Sequence, residues 1–104
     1  MANTYVNAKL DLTANSATTL YTAPSLTTSI FKSILVSEDT GNADTITATI
    51  TNGSTVYSLF KTKAVGANAT VELLTAPLVL QPAEILKVTA ATANRLHVVA
   101  SILE

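Results

Sequence analysis

Hydrophobic and polar positions alternate with a period of two along most of the chain. In residues 45–51, which read TITATIT, Ile or Ala occupies every second position and Thr fills the positions between. Because successive side chains of a strand point to opposite faces of a sheet, this segment predicts a strand with one buried face and one hydroxyl-rich face. Asn52 and Gly53 follow directly and favour a type I′ hairpin turn, since both residues tolerate positive φ. The return strand is predicted over residues 54–61.

Similar patterns predict strands throughout the chain, and helix signals are almost absent because Thr, Val and Ile fit a pleated sheet better than a helix. The further predicted strands cover residues 5–12, 18–22, 30–37, 69–74, 78–81, 85–90 and 95–103. About eight short strands with turn residues between them predict an all-β chain, folded as a single antiparallel β-sandwich of jelly-roll-like form over residues 1–104. Residues 1–12 are either the first strand or an N-terminal arm.

The composition narrows the possible function classes. The 104 residues are 48% hydrophobic and 12% charged, and 18 Thr with 16 Ala make up about a third of the chain. Absent cysteine excludes disulfides and thiolate zinc sites, and six basic against seven acidic residues argue against nucleic-acid binding. We expect no signal peptide and no membrane span. So few charges indicate either buried protein–protein contacts or a surface that stays soluble through hydroxyls and amides.

Few residues offer catalytic or metal-binding chemistry. His97 is the one histidine, and no nucleophile or acid stands at a motif spacing from it. Glu38, Asp39 and Asp44 share a glycine-bearing segment whose oxygens could hold calcium, although the spacing does not match the helix–loop–helix calcium motif. A solvated turn is the preferred interpretation, and ion binding there stays open. We predict a non-enzymatic protein with no catalytic residues, no metal site and no cofactor.

Several segments, taken in order, resemble a group of small virion proteins of tailed bacteriophages. They are YTAP at 21–24 with FKSILVS at 31–37, TITATIT at 45–51, VYSL at 56–59 with GANATVEL at 66–73, LQPAEILKV at 80–88 and LHVVASILE at 96–104. The resemblance spans residues 21–104. Such proteins commonly carry a Gly-Asp turn before the penultimate strand, where this chain has Pro82, Ala83 and Glu84, and this departure puts the type of turn in doubt.

The resemblance implies a capsid decoration (cement) protein that binds the outer shell of a tailed phage and stabilises it. Its partners would be the major capsid protein and copies of itself, with a homotrimer favoured. It would be made in the host cytoplasm and reside on the capsid surface, binding neither nucleic acid nor membrane. The alternative is a neck, tail or fibre-base component of the same particle. A more distant alternative is a carbohydrate-binding β-sandwich module, for which Tyr57 near Asn52 is the one candidate.

Two groups of residues are candidate interface positions. The first is the hydroxyl-rich face of the alternating strand, formed by Thr45, Thr47, Thr49 and Thr51. This face is either an interface or plain solvent surface, and solvent surface is favoured because exposed threonine is common on antiparallel sheets. The second group is Tyr5 and Val6, which precede the segment covered by the resemblance.

Overall fold

The computed structural model describes residues 4–104, and within that range the chain forms nine strands and no helix. The strands are β1 (Tyr5–Asp11), β2 (Thr18–Thr22), β3 (Ser29–Glu38), β4 (Asp44–Asn52), β5 (Thr55–Val65), β6 (Thr70–Glu72), β7 (Leu78–Leu80), β8 (Ile85–Ala90) and β9 (Leu96–Leu103). The predicted all-β fold is confirmed.

The strands form two antiparallel sheets that pack face to face. One sheet has the order β1-β9-β3-β6, with β7 also paired to β3, and the other has the order β2-β8-β4-β5. Since β6 and β7 pair with successive parts of β3, they act as two halves of one interrupted strand. The eight strand positions that result have the connectivity of a jelly roll, as predicted.

Alternation along the strands builds the core between the sheets. On β9 the inward side chains are Leu96, Val98, Ala100 and Ile102, each at most 1% exposed. Leu86, Val88 and Ala90 of β8 face them from the other sheet. Phe31 is the largest fully buried side chain, and its ring meets the ring of Tyr21 edge-on at 5.9 Å. The core is therefore filled by the period-two pattern that the sequence carries.

The β4–β5 hairpin forms, but its turn differs from the predicted type. Asn52 pairs with Thr55, so the two central residues are Gly53 and Ser54. Only Gly53 has positive φ, at 62°, which fits a type II′ turn and not type I′. The predicted turn position was wrong by one residue, because Asn52 stays in the strand ladder. There its side-chain amide donates a hydrogen bond to the Glu84 carboxylate at 3.1 Å.

The turn before β8 forms without the Gly-Asp pair that is common at this position in the virion proteins that the chain resembles. The N–H of Glu84 donates to the carbonyl of Gln81 at 3.0 Å, and Ala83 has a φ of 69°. Pro82 at the second position and positive φ at the third fit a type II turn, in which alanine occupies a position that favours glycine. The Glu84 carboxylate also accepts the N–H of Gln81 at 2.7 Å, which closes the turn from its side chain.

The strand order gives the sandwich two different lateral edges. On one side β1 lies against β2. On the other side β5 ends one sheet and the interrupted β6–β7 pair ends the other. We call this second side the open edge, because residues 73–77 there belong to neither sheet.

Candidate functional site

An apolar groove runs along the open edge, between β5 and the segment that joins β6 to β7. Its volume is about 210 Å³. Leu73, 2% exposed, belongs to the core, while Leu59, Phe60, Leu74 and Leu78 are half-buried and pack against that core. Core side chains therefore reach the surface along this groove. The lining residues are Leu59, Phe60 and residues 73–78.

A bulge in β5 places two large apolar side chains in the groove. Ala48 pairs with Phe60 whereas Thr49 pairs with Ser58, so Leu59 is an extra residue in the ladder. Strict alternation would send Leu59 and Phe60 to opposite faces. Because a bulge sets two residues of one strand against one of its partner, both side chains turn to the groove.

The Glu72 carboxylate fixes the other wall of the groove. It accepts hydrogen bonds from the N–H of Ile34 at 2.7 Å, the N–H of Leu74 at 3.2 Å and the hydroxyl of Ser33. Burial alone would raise the pKa of Glu72, but these hydrogen bonds outweigh burial and lower that pKa. The ionised carboxylate thus anchors the start of the β6–β7 connection to β3.

Tyr57 extends the apolar surface of the groove along β5, because it pairs with Ile50, which packs against the core, and so points to the same side of the strand. Tyr57 is 56% exposed, whereas the exposed Val56 and Val79 point to the outer faces of the two sheets. Large apolar side chains in such a patch are typical of protein interaction surfaces. We call this surface the docking edge; it comprises Tyr57, Leu59, Phe60, Leu74 and Leu78.

Positive charge borders the docking edge. The Nζ of Lys63 lies 5.8 Å from the centre of the Phe60 ring, within the range of a cation–π interaction. Lys61, two residues earlier on β5, is exposed. The edge therefore combines an apolar centre with a basic border, and an apolar centre inside a polar rim is the usual arrangement of an interface.

The four predicted threonines lie elsewhere, on the outer face of the β2-β8-β4-β5 sheet. All four are half-buried, as the burial pattern of β4 shows. Thr47 accepts a hydrogen bond from the N–H of Thr62 at 3.0 Å, and Thr49 lies beside Ser58 and Lys87. Thr45 and Thr51 complete the row. This face is polar and separate from the docking edge, and its role as an interface stays a prediction.

Tyr5 and Val6 begin β1, which pairs with β9 along its whole length. Tyr5 points outward and is 75% exposed, whereas Val6 is half-buried and packs against the core. The structure therefore places only Tyr5 on an open surface. Residues 5–11 form a strand of the sheet, while residues 1–3 of the predicted arm lie outside the described residues.

The carboxylates of the acidic segment, residues 38–44, are engaged in contacts within the protein. Glu38 is 2% exposed, and its carboxylate accepts the N–H groups of Thr40, Gly41, Asn42 and Asn68, at 2.8, 3.0, 3.1 and 3.0 Å. Burial alone would raise the pKa of Glu38, but these bonds outweigh burial and lower that pKa to about 2. The carboxylate therefore holds two loops together while ionised.

Asp44 and Asp39 turn away from Glu38 to other partners. Asp44 accepts the N–H of Thr92 at 3.0 Å. Asp39 lies 3.6 Å from Nδ1 of His97, whose Nε2 lies 3.2 Å from Asp11. Within residues 4–104, no three His, Cys, Asp or Glu side chains are grouped so that they could hold a metal ion.

Comparisons with known proteins identify no family for the chain. Neither a scan against protein-family models nor a search of curated proteins gave a match. No helix long and apolar enough to cross a membrane occurs in the part of the chain that the structure describes.

The docking edge was not anticipated from the sequence. Strict alternation assigned Leu59 and Phe60 to opposite faces of the return strand, and the apolar run around Pro77 was assigned to two ordinary short strands. The available signal was the density of large apolar residues in 73–80, interrupted by a proline that cannot donate a ladder hydrogen bond.

Proposed function

We propose that this chain is a non-enzymatic structural protein of a tailed-phage particle, a capsid decoration protein that binds the outer shell and stabilises it. Two observations support the proposal. The first is the resemblance over residues 21–104 to small virion proteins. The second, which carries it, is the docking edge, where core side chains and exposed apolar ones form one surface that the described chain leaves uncovered.

The physical properties of the docking edge suit attachment to a protein shell. Covering apolar surface contributes about 25 cal/mol per Å², and an exposed aromatic such as Tyr57 adds contact area at a small entropic cost. The groove walls are held by a β-bulge and by the Glu72 carboxylate, so little ordering is needed on binding. A basic rim adds directional attraction to an acidic partner surface.

Self-association would multiply these contacts. In the proposed arrangement the partners are the major capsid protein and copies of this chain, with a trimer favoured because a closed three-fold oligomer matches the three-fold sites of a shell. Several copies attached together bind far more tightly than one, since each later contact is intramolecular.

The proposal is tested by adding the purified protein to undecorated capsids of the phage that encodes it. Bound protein is measured by co-sedimentation for the natural sequence and for two matched variants, Tyr57→Asp on the docking edge and Tyr5→Asp at the opposite edge. We expect Tyr57→Asp to weaken binding roughly tenfold or more, as for an interface hot spot, and Tyr5→Asp to bind like the natural protein. Thermal unfolding verifies that both variants fold.

Two outcomes would contradict the proposal. If Tyr57→Asp binds capsids as well as the natural protein does, the docking edge is not the attachment surface. If the protein binds isolated tails and not capsids, the neck or tail assignment replaces decoration.

A further inference from the structure

A second surface site lies at the opposite edge of the sandwich, on the outer face of the β1-β9-β3 sheet. It is a shallow open cleft of about 310 Å³, at the lower end of the roughly 300–1,000 Å³ typical of ligand pockets. Its polar lining comes from Tyr5, Asn7, Lys32 and Ser101, and Val6 and Ile102 complete it.

The strand register brings these side chains together. Asn7 pairs with Ser101, and Ser101 pairs with Ser33 on the next strand, so three small polar residues form a row across the sheet. Tyr5, two residues before Asn7, pairs with Leu103, two residues after Ser101, so this pair is the next one on the same face. Residues at 5, 7 and 101 therefore share one face, although they are far apart in sequence.

A β-bulge in β3 places the positive charge of Lys32 at the cleft. Phe31 pairs with Ile102 and Ser33 with Ser101, which leaves Lys32 as an extra residue in the ladder. A bulge commonly redirects a side chain at a functional site. Here it directs Lys32 into the cleft beside Ser101.

Among residues 4–104, the polar groups of the cleft have no partner. The side chains of Asn7, Lys32 and Ser101 make no hydrogen bond there, and Lys32 has no carboxylate within 4.0 Å. By contrast, Glu104, which follows β9, turns away to accept hydrogen bonds from Tyr21 and Ser29. The cleft thus has donors and an exposed aromatic ring, and its described lining holds no charge that neutralises Lys32.

We propose that this cleft binds a carboxylate-bearing sugar, a uronic acid residue of an oligosaccharide. Lys32 pairs with the sugar carboxylate, Asn7 and Ser101 hydrogen-bond to ring hydroxyls, and the Tyr5 ring packs against the apolar face of the sugar ring. A single cation beside one exposed aromatic ring and two small polar groups matches one such residue. The site does not depend on the docking edge, because β1 and β5 lie at opposite edges of the sandwich.

The test is a titration of the isotope-labelled protein, followed by amide NMR shifts. The probes are trimers of galacturonic, glucuronic and mannuronic acid, each compared with its methyl ester, which removes the charge and keeps the ring. At least one acid trimer is expected to shift the amides of residues 5–7, 32 and 101, and its methyl ester to bind roughly tenfold more weakly.

Matched variants separate the roles of the residues. Lys32→Gln should bind the acid trimer as weakly as the natural protein binds the ester, while Lys61→Gln on β5 should bind normally. Tyr5→Ala should weaken binding of acid and ester alike. The proposal is overturned if no acid trimer shifts these amides at millimolar concentration. It is equally overturned if Lys32→Gln binds the acid trimer as tightly as the natural protein does, and the natural protein binds the methyl ester as tightly as the acid.

Discussion

Glu38 shows how one side chain can organise an end of the sandwich. Its carboxylate receives N–H groups from the β3–β4 loop and from Asn68, which lies 30 residues further along the chain. Hydrogen bonds of this kind to a charged group are about twice as strong as neutral ones. The two loops at this end are therefore held together by hydrogen bonds to a buried charge.

The stability of the protein should depend on the ionisation of Glu38. Because the pKa falls from the ordinary value of 4.5 to about 2 on folding, the stabilisation is fully present above pH 4.5 and is lost as the pH falls toward 2. For the natural protein, the denaturant concentration at the unfolding midpoint should be constant with respect to this group from pH 7 to 4.5. It should then decrease as the pH is lowered from 4.5 toward 2. Glu38→Gln should be less stable at pH 7 and should show a flatter profile below pH 4.5.

Asp39→Asn is the control, since Asp39 is the exposed neighbour and the substitution removes the same charge. It should keep the acid-induced loss of stability. A Glu38→Gln protein with the stability and pH profile of the natural chain would disprove the role assigned to this carboxylate.

At the residue scale, the sequence predicted part of this picture. It located the acidic segment and favoured a turn there over a metal site, but it treated Glu38 as one of three similar acids. Its partner Asn68 comes from a loop that only the folded topology brings close. The cleft at Tyr5 was missed for the same reason, because Lys32 and Ser101 meet there only through strand pairing and a bulge.

Among the elements, β5 carries most of the irregularity of the fold. It is an edge strand with two register shifts against β4, and Thr62 within it has a φ of 51°. Bulges and lysines are common protections of an edge strand against pairing with other chains. Lys61 and Lys63 stand beside this irregular position, so β5 can present a docking edge without inviting uncontrolled strand pairing.

Removing the two lysines should expose this edge to aggregation. We expect the double variant Lys61→Thr, Lys63→Thr to form larger species than the natural protein at the same concentration, measured by light scattering over time. The control is Lys87→Thr, on the central strand β8, which should behave like the natural chain. Equal scattering from the double variant and the control would show that the lysines do not protect β5.

The sequence predicted the positions of the strands more closely than it predicted their bulges and turns. About eight strands were predicted, and each strand of the described residues overlaps a predicted segment, because short apolar or alternating runs bounded by turn residues are typical of strands. The bulges of β3 and β5 were not predictable, since they depend on how each strand fits its neighbours. The turn at Gly53 was misplaced by one residue for a similar reason, the pairing of Asn52 with Thr55.

At the scale of the whole molecule, the two edges of the jelly roll differ in chemistry. The open edge is apolar with a basic rim, while the opposite edge has the polar cleft at Tyr5 and Lys32. If the open edge faces the shell, the cleft faces away from it and can reach ligands outside the particle. A jelly roll supports many functions, so attachment to a shell is supported by the docking edge and not by the fold.

Electron microscopy of a phage particle whose genome encodes this chain tests the proposed decoration role most directly. We expect jelly-roll density on the outer shell of the capsid, repeated at equivalent positions, with β5 and residues 73–78 against the major capsid protein. Density confined to the neck or tail would contradict the decoration role. Density on the shell with the docking edge turned to solvent would contradict the assigned surface.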